Sequence, residues 1–480
     1  MKPSILNKPE LKEARRRTKE LVSTIEFSIP ASAMHLGDGK RYTIHTYGCQ
    51  GNEADTERIK GILEEIGYAY TEDETKSDLI ILNTCAIRAN AENKVFGELG
   101  RLKHLKVANP NLLLAVGGCM PQEEVVVEKI LKTYHQVDLV FGTHNIHKIV
   151  EYLEILSGKK TKVVEVESQQ GDVVEQLPAI RTSKHKAWVN IMFGCDEFCT
   201  YCIVPYTRGK ERSRDPQHIL DEIDQLVQEG YQEITLLGQN VNSYGLDFQD
   251  KKYSFAMLLT DIQETSIPRV RFTTSHPKDF SMDLIDVLSK GKNLMPYIHL
   301  PVQSGSNKIL KMMNRKYTKE SYLTLIQSIK QAIPGVSITT DIIVGFPGET
   351  EEDFLETLDL VKHAGFEGAY TFIFSPRSGT PAAMYEDFTP VEEKKTRLQR
   401  LNVLVNEQFK SGNERFEGQE VQVLIDGFSK TNQQVLSGYT PHNKLVNVVG
   451  DASLIGKTIS VHIKKAKTWS LDGELLHDKT

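Results

Sequence analysis

From residue 41 to about 155 the chain repeats one pattern: a short apolar run, a loop, then apolar residues at helical spacing. The runs at 78–83, 112–116 and 137–141 have the length and the Ile, Leu and Val content of buried strands, and Arg41–Tyr47 reads as the strand before them. After the first, Ile59, Ile62, Leu63 and Ile66 mark a helix face, and Asn52 or Asp55 is placed to cap it. After the second, Ala91, Val95, Leu99 and Leu102 do the same, and after the third Pro121 sits where a helix can begin. This alternation predicts a parallel sheet covered by helices.

The pattern weakens over 156–186, through Ser157-Gly158-Lys159-Lys160, and reads there as a linker with one edge strand at Val163–Val166. From 187 to about 410 six further runs alternate with helical segments, at 187–193, 234–238, 270–274, 297–302, 338–344 and 370–374. Six strand–helix units predict a partial barrel, short of the eightfold one. Over 411–480 short strands follow closely, at 420–425, 434–439, 445–449 and 458–463, with Asp472-Gly473 as a hairpin signal. These predict a small antiparallel β-barrel. Residues 1–40 form a charged extension, with a helix predicted over 9–27 and Leu11, Ala14, Leu21 and Ile25 along one side. The fold class is therefore α/β, in segments 1–40, 41–155, 156–186, 187–410 and 411–480.

Composition narrows the class. The 480 residues carry a formal charge of −6, which argues against a basic coat for nucleic acid but not against a local basic patch. No run approaches the roughly 18–20 apolar residues needed to cross a bilayer, so no membrane partner is expected. The first twenty or so residues lack the apolar stretch of a secretory signal, which predicts a cytoplasmic location. Six cysteines fall in two triplets, Cys49, Cys85, Cys119 and Cys195, Cys199, Cys202. In a reducing compartment such usage points to metal or catalysis rather than disulfides.

The second triplet has the spacing C-x3-C-x2-C. Three thiolates in so short a loop can hold three corners of a 4Fe-4S cluster and leave the fourth iron open to a ligand. A zinc site is the competing reading, but it normally closes with four ligands in paired C-x2-4-C spacing, and His185 is poorly placed to be the fourth. The first triplet is dispersed. Each member stands just past the carboxyl end of a predicted strand, where open α/β sheets build their ligand crevices, so the three are expected to converge on a second cluster. Cysteine is also common in cores, but packing alone does not place it at three equivalent strand ends. In the barrel, the loops holding Gln239, Ser275, Gln303 and Gly345 are polar or glycine-bearing and belong at the same end as Cys195. His276 and His299 read equally as structural hydrogen-bonders or as catalytic groups. Over 441–470, Lys444, Lys457, Lys464, Lys465 and Lys467 face only Asp451 in sequence, with Trp469 nearby. This makes a candidate RNA-binding face, the alternative being a solvated edge.

From residue 41 onward the chain resembles the methylthiotransferase branch of the radical S-adenosylmethionine enzymes. The resemblance lies in Thr46-Tyr47-Gly48-Cys49-Gln50, Leu82-Asn83-Thr84-Cys85-Ala86-Ile87-Arg88, Gly117-Gly118-Cys119-Met120 and the stretch from Phe198 to Glu211. It extends to Leu237-Gly238-Gln239-Asn240-Val241-Asn242, Thr273-Thr274-Ser275-His276-Pro277, 341–349 and 374–381. The last segment is similar to the TRAM module. Gly51 departs from the methionine usual after Gln50, and the extension before 41 is not general to the family.

The resemblance implies that Cys195, Cys199 and Cys202 hold the cluster that cleaves S-adenosylmethionine, and that Cys49, Cys85 and Cys119 hold an auxiliary cluster carrying the sulfur to be inserted. Tyr201, Gln239, Ser275, Gln303 and Gly345 are then expected at S-adenosylmethionine, and Lys444, Lys464, Lys465 and Lys467 at RNA. It implies methylthiolation at carbon 2 of N(6)-isopentenyladenosine beside the tRNA anticodon. One S-adenosylmethionine supplies the radical and another the methyl group. A reductant such as flavodoxin or ferredoxin and a sulfur donor are implied partners. Threonylcarbamoyladenosine as substrate, or a non-catalytic iron–sulfur sensor that binds RNA, are the rival expectations.

Overall fold

The computed structural model describes the chain except residues 1–3, 6–8, 87–88, 159–160, 167–172, 251, 431 and 477–480. Ile87 and Arg88 of the second motif, Lys159 and Lys160 of the linker, and the first residues of the extension lie outside the described residues.

The first sheet has seven strands in the order Ser4–Ile5, Val163–Val166, Leu139–Phe141, Leu113–Gly118, Leu79–Thr84, Arg41–Tyr47, Ala69–Tyr70. All its pairings are parallel. Alternate side chains of the central strands point to opposite faces. Leu79 and Ile81 pack with Ile59, Ile62 and Leu63 of the Gln50–Glu65 helix and with Ile66 just past its end. Ile80 and Leu82 pack with Val95, Leu99 and Leu102 of the Ala89–Ala108 helix. Each such buried Ile or Leu contributes about 1.5–3 kcal/mol. Two helices on opposite faces require the strand order to diverge between Arg41–Tyr47 and Leu79–Thr84. The first connects outward to Ala69–Tyr70 and the second the other way to Leu113–Gly118. Such a divergence opens a crevice at the strands' carboxyl ends. The expected edge strand Val163–Val166 is an inner member of this sheet, flanked by Leu139–Phe141 and Ser4–Ile5.

The six expected barrel strands form two parallel groups. Lys186–Asn190, Glu233–Leu237 and Arg269–Phe272 make one, and Tyr297–His299, Ser337–Val344 and Ala369–Ile373 the other. A bridge between Val270 and Leu294 continues the wall between them. Ala187 and Val189 face the outer core, whereas Lys186, Trp188 and Asn190 line the lumen.

The last segment is a closed five-stranded barrel. Asp472 and Gly473 are not a hairpin turn but lie within the Leu471–Leu475 strand. A side chain at Gly473 would collide with Val461, so the glycine serves close packing rather than a turn. This barrel closes the amino-terminal mouth of the partial barrel. Arg271 donates to the Thr440 and Pro441 carbonyls at 2.8 and 3.0 Å, and Lys186 pairs with Asp426 at 2.8 Å.

The extension also differs from expectation. Its helix is only Leu11–Arg17, and Thr24–Glu26 is a strand paired with Val173–Glu175. Ala14 is buried against Phe198 and Tyr206 while Leu21 is exposed, so one short face suffices for docking.

Candidate active site

Cys49 is the N-cap of the Gln50–Glu65 helix, and Cys119 precedes the single turn Met120–Gln122. Of the expected caps, Asn52 completes a capping box with Cys49, whereas Asp55 pairs with Arg208 instead. Asn52 is fully buried, accepts from the Cys49 N–H at 3.3 Å and donates to the Thr84 carbonyl at 3.2 Å. It thereby ties the Cys49 turn to the strand that ends before Cys85. The Cys119 N–H donates to the same Thr84 carbonyl at 2.8 Å, so one peptide oxygen gathers all three turns. Cys49 and Cys85 hydrogen-bond through their thiols, and this contact, with the Arg208 cation nearby, holds the Cys49 thiol below its usual range. A helix N-terminus adds a favourable dipole for a thiolate. Burial pushes Cys119 the other way, upward.

The second triplet is shaped by its own loop. Gly194 adopts φ +76°, and a Cβ there would overlap the Lys210 carbonyl, so the turn into Cys195 requires glycine. Phe198 sits at φ +46°, a strained value for a side chain of that size. The 312–315 stretch holds it there. Thr200 N–H and Oγ1 donate to the Met313 and Met312 carbonyls at 3.0 and 2.9 Å. Asn314, itself at φ +61°, donates from Nδ2 to the Glu197 and Phe198 carbonyls at 3.1 and 3.0 Å. Burial pushes Cys195 well above the usual thiol range and Cys202 up to about 12, so these sulfurs call for an electropositive ligand to ionise.

The two triplets adjoin. Ile203, next after Cys202, packs on Ala86, next after Cys85, and on Cys119. Arg208 donates from Nε to Cys119 Sγ at 3.2 Å and pairs with buried Asp55 at 2.8 Å. Further out, Arg181 joins Glu57 of the Gln50–Glu65 helix to Glu222 of the barrel helix Pro216–Gln228 at 3.2 and 2.6 Å.

A cavity of about 1050 Å³ opens between the sheet and the barrel lumen. Of the expected site residues it is lined by Cys49, Cys195, Cys199, Cys202, Tyr201, Gln239, Ser275 and Gln303. Cys85 and Cys119 stand behind Cys49, buried and off the cavity wall. Gly345 is also off that wall. Its φ of +67° and its closeness to the Lys394 side chain give it a local reason to be glycine apart from the cofactor role expected of it.

Three of the lining residues carry buried polar atoms without a hydrogen-bond partner: Gln239 Oε1, Ser275 Oγ and His276 Nε2. Such atoms are costly unless a ligand meets them. Burial, with Arg315 and Lys278 nearby, pushes His276 down to about 2, so the ring is neutral. Its Nδ1 accepts from the Lys278 N–H at 3.2 Å, so Nε2 carries the proton, buried 3.8 Å from Glu197 Oε2. Glu197, His276 and Asp279 bring possible ligand atoms within 4.8 Å of one another, but Lys278 Nζ lies 2.6 Å from Glu197 and 3.6 Å from Asp279 and supplies the cation there.

The basic face is weaker than the sequence suggests. Lys444 is 4 % exposed and paired with Glu367 at 2.9 Å, so it is not on a surface that RNA can reach. Lys464 and Lys467 pair with Glu474 and Asp472 at 2.6 and 2.5 Å, carboxylates brought opposite by the last strand. Lys465 forms no ion pair among the described residues. Trp469 packs on Phe409 with ring centres 5.0 Å apart. Asn52 and Asp55 were expected only as helix caps, and no role was expected for Arg208, Asn314 or Arg315. Arg208 lay within a quoted motif, and the Asn-Arg pair follows two methionines, but neither has a spacing that announces its partner.

A family model described as the radical SAM superfamily matches residues 189–361. Models of the uncharacterized protein family UPF0004 and of the TRAM domain match 41–142 and 414–476. Among solved structures, the radical S-adenosylmethionine methyltransferase TsrM from Kitasatospora setae has the same fold, at TM-score 0.53 and 14% identity over 72% of this chain and 77% of that one. The cobalamin-dependent S-adenosylmethionine radical enzyme OxsB gives 0.52 at 13% identity, over 76% of this chain and 57% of that one. Fold and cysteine loop together define a radical S-adenosylmethionine protein.

The sequence relatives are more specific. Proteins named tRNA-2-methylthio-N(6)-dimethylallyladenosine synthase are 58% identical in Anoxybacillus flavithermus, over 98% of this chain and 89% of that protein. Those of Geobacillus kaustophilus and Bacillus cereus are 58% and 56% identical, each over 99% of this chain and over 90% and 94% of their own lengths. The chain belongs to this family of tRNA methylthiotransferases.

Proposed function

We propose that this chain replaces the hydrogen on carbon 2 of N(6)-isopentenyladenosine in tRNA with a methylthio group. The carrying observation is the contact of Ile203 with Ala86 and Cys119, which sets the two cysteine triplets side by side, with Cys49 of one and all three members of the other on a single cavity. The residues suit two iron–sulfur clusters: each triplet offers three sulfurs, and each has a buried arginine donating to one of them. Cys195, Cys199 and Cys202 hold one cluster, and Cys49, Cys85 and Cys119 the other. Bound there, the clusters and S-adenosylmethionine supply the radical, the methyl group and the site for sulfur.

The chain's own residues bind, orient and exclude water. Gln239, Ser275 and His276, each with a buried side-chain atom that lacks a hydrogen-bond partner, line the cavity with Tyr201 and Gln303 and are the polar groups nearest to hand for S-adenosylmethionine. Gln303 has φ +70°, held by its N–H donating to the Asp341 carbonyl at 2.8 Å. Trp188, Tyr297 and Phe372 offer the lumen's aromatic surface to a flipped base and its isopentenyl group. The hydrogen removed is scarcely acidic, so a neutral His276 and paired carboxylates are no obstacle; the chemistry belongs to the cofactors. An anticodon loop presents its bases single-stranded, which lowers the cost of bringing one into the lumen. A low-potential reductant such as flavodoxin or ferredoxin and a sulfur donor complete the set of partners, and Lys465 is the first contact for tRNA on the last barrel. No helix among the described residues is long and apolar enough to cross a membrane.

The test is mass spectrometry of tRNA nucleosides from a deletion strain. Loss of 2-methylthio-N(6)-isopentenyladenosine, with the unthiolated nucleoside accumulating, is expected. An unchanged level would exclude this substrate.

A further inference from the structure

Two arginines donate to cysteine sulfurs, and their surroundings differ. Arg208 meets Cys119 Sγ, but its charge is matched by Asp55 at 2.8 Å. Arg315 donates from Nη1 to Cys199 Sγ at 3.3 Å, from Nη2 to the Pro301 carbonyl at 3.0 Å and from Nε to the Tyr317 hydroxyl at 2.8 Å. That hydroxyl donates onward to the Val302 carbonyl at 2.8 Å, so the guanidinium is locked in one orientation. Arg315 is 9 % exposed and forms no ion pair among the described residues. A buried cation without an anion is strongly disfavoured. A negatively charged, thiolate-bound cluster on the Cys199 loop is what would balance it.

We infer that Arg315 sets the reduction potential of the cluster held by Cys195, Cys199 and Cys202, acting as a fixed uncompensated cation against Cys199, whereas Arg208, neutralised by Asp55, acts mainly to tie the first triplet to the barrel. This rests on the assignment of the Cys195 triplet made above. Potentials of such clusters follow net charge and hydrogen bonds to sulfur. Reduction adds one electron and moves no proton, the electron coming from a low-potential one-electron carrier. A cation in contact with a ligand sulfur favours the more negative, reduced state. Arg315 touches the ligand and is a positioning residue.

The experiment is an anaerobic dithionite titration followed by electron paramagnetic resonance, in full-length chain with Cys49, Cys85 and Cys119 changed to Ala so that one cluster titrates. Arg315→Gln is expected to lower the reduction equilibrium about tenfold, which is about 59 mV for one electron. Arg315→Lys, which keeps the charge and loses the planar fork, should restore most of the difference, and Arg208→Gln should leave this potential unmoved. If Arg315→Gln loses its iron, Arg315→Lys decides: a potential near that of the parent supports the inference, and a tenfold drop overturns it. A cluster present with an unmoved potential in Arg315→Gln overturns this inference alone. A parent without iron at this triplet overturns the triplet's assignment and the inference with it.

Discussion

The two cysteine triplets are built in opposite ways. Cys195, Cys199 and Cys202 lie in one loop, whose shape depends on Gly194 and on hydrogen bonds from Thr200 and Asn314. Cys49, Cys85 and Cys119 come from three separate turns and meet only because parallel strands put those turns at one sheet edge. A contiguous site depends on loop chemistry, and a dispersed site depends on a whole sheet being in register. Slipping one strand by a residue would turn its side chains to the other face. The dispersed site therefore carries more tertiary supports, in Asn52, the Thr84 carbonyl and the Arg208–Asp55 pair.

The largest expected effect separates the triplets by role. Cys195→Ala should abolish formation of 5′-deoxyadenosine and of the methylthio product alike. Cys119→Ala should keep S-adenosylmethionine cleavage and stop only sulfur insertion. Equal loss of cleavage in both, measured by chromatography of the nucleoside products, would erase the distinction.

Next in size is the tie between them. Arg208→Met leaves Asp55 buried without its cation, which should cost about 3–5 kcal/mol in denaturant unfolding of the apo-protein. A loss below about 1 kcal/mol, the range of an exposed pair, would show that the pair is not buried in solution.

A smaller effect concerns pH and the seam between sheet and barrel. Burial alone would raise the Glu222 carboxyl, but Arg214 and Arg181 pull it from 4.5 down to about 2. A carboxyl lower in the folded state stabilises fully above its unfolded value, and that stability is lost as pH falls through the folded one. Thermal unfolding should thus lose part of its stability between about pH 4.5 and 2, and Glu222→Gln should flatten that fall while lowering stability at pH 7. An unchanged acid profile in the variant would place the network's strength elsewhere.

The smallest effect is on tRNA binding. Because Glu474 neutralises Lys464, Lys465→Ala should matter more than Lys464→Ala. Each lost phosphate contact should reduce the salt slope by about 0.7–0.9 log units. Identical slopes in both single variants and the parent would remove this face from the interface.

These contrasts explain what the sequence could disclose. The Cys195 loop was legible because spacing alone implies its chemistry. The first triplet was legible because strand and helix periodicity located three equivalent strand ends. Arg208 and Arg315 were not, since a buried guanidinium and an exposed one look alike until burial is known. Lys444 misled for the same reason, and Asp472-Gly473 because a turn dipeptide also suits a crowded strand. The shortened first helix reflects docking: once Ala14 reaches Phe198 and Tyr206, nothing further along the extension requires helix.

Two separate three-cysteine sites adjoin at one cavity. Anaerobic iron and sulfide analysis with Mössbauer spectra, on the parent and on each triple cysteine-to-alanine variant, tests this arrangement most directly. About eight irons are expected in the parent and about four in either variant, with 4Fe-4S spectra throughout. Loss of all iron on removing one triplet, or no loss on removing the other, would contradict it.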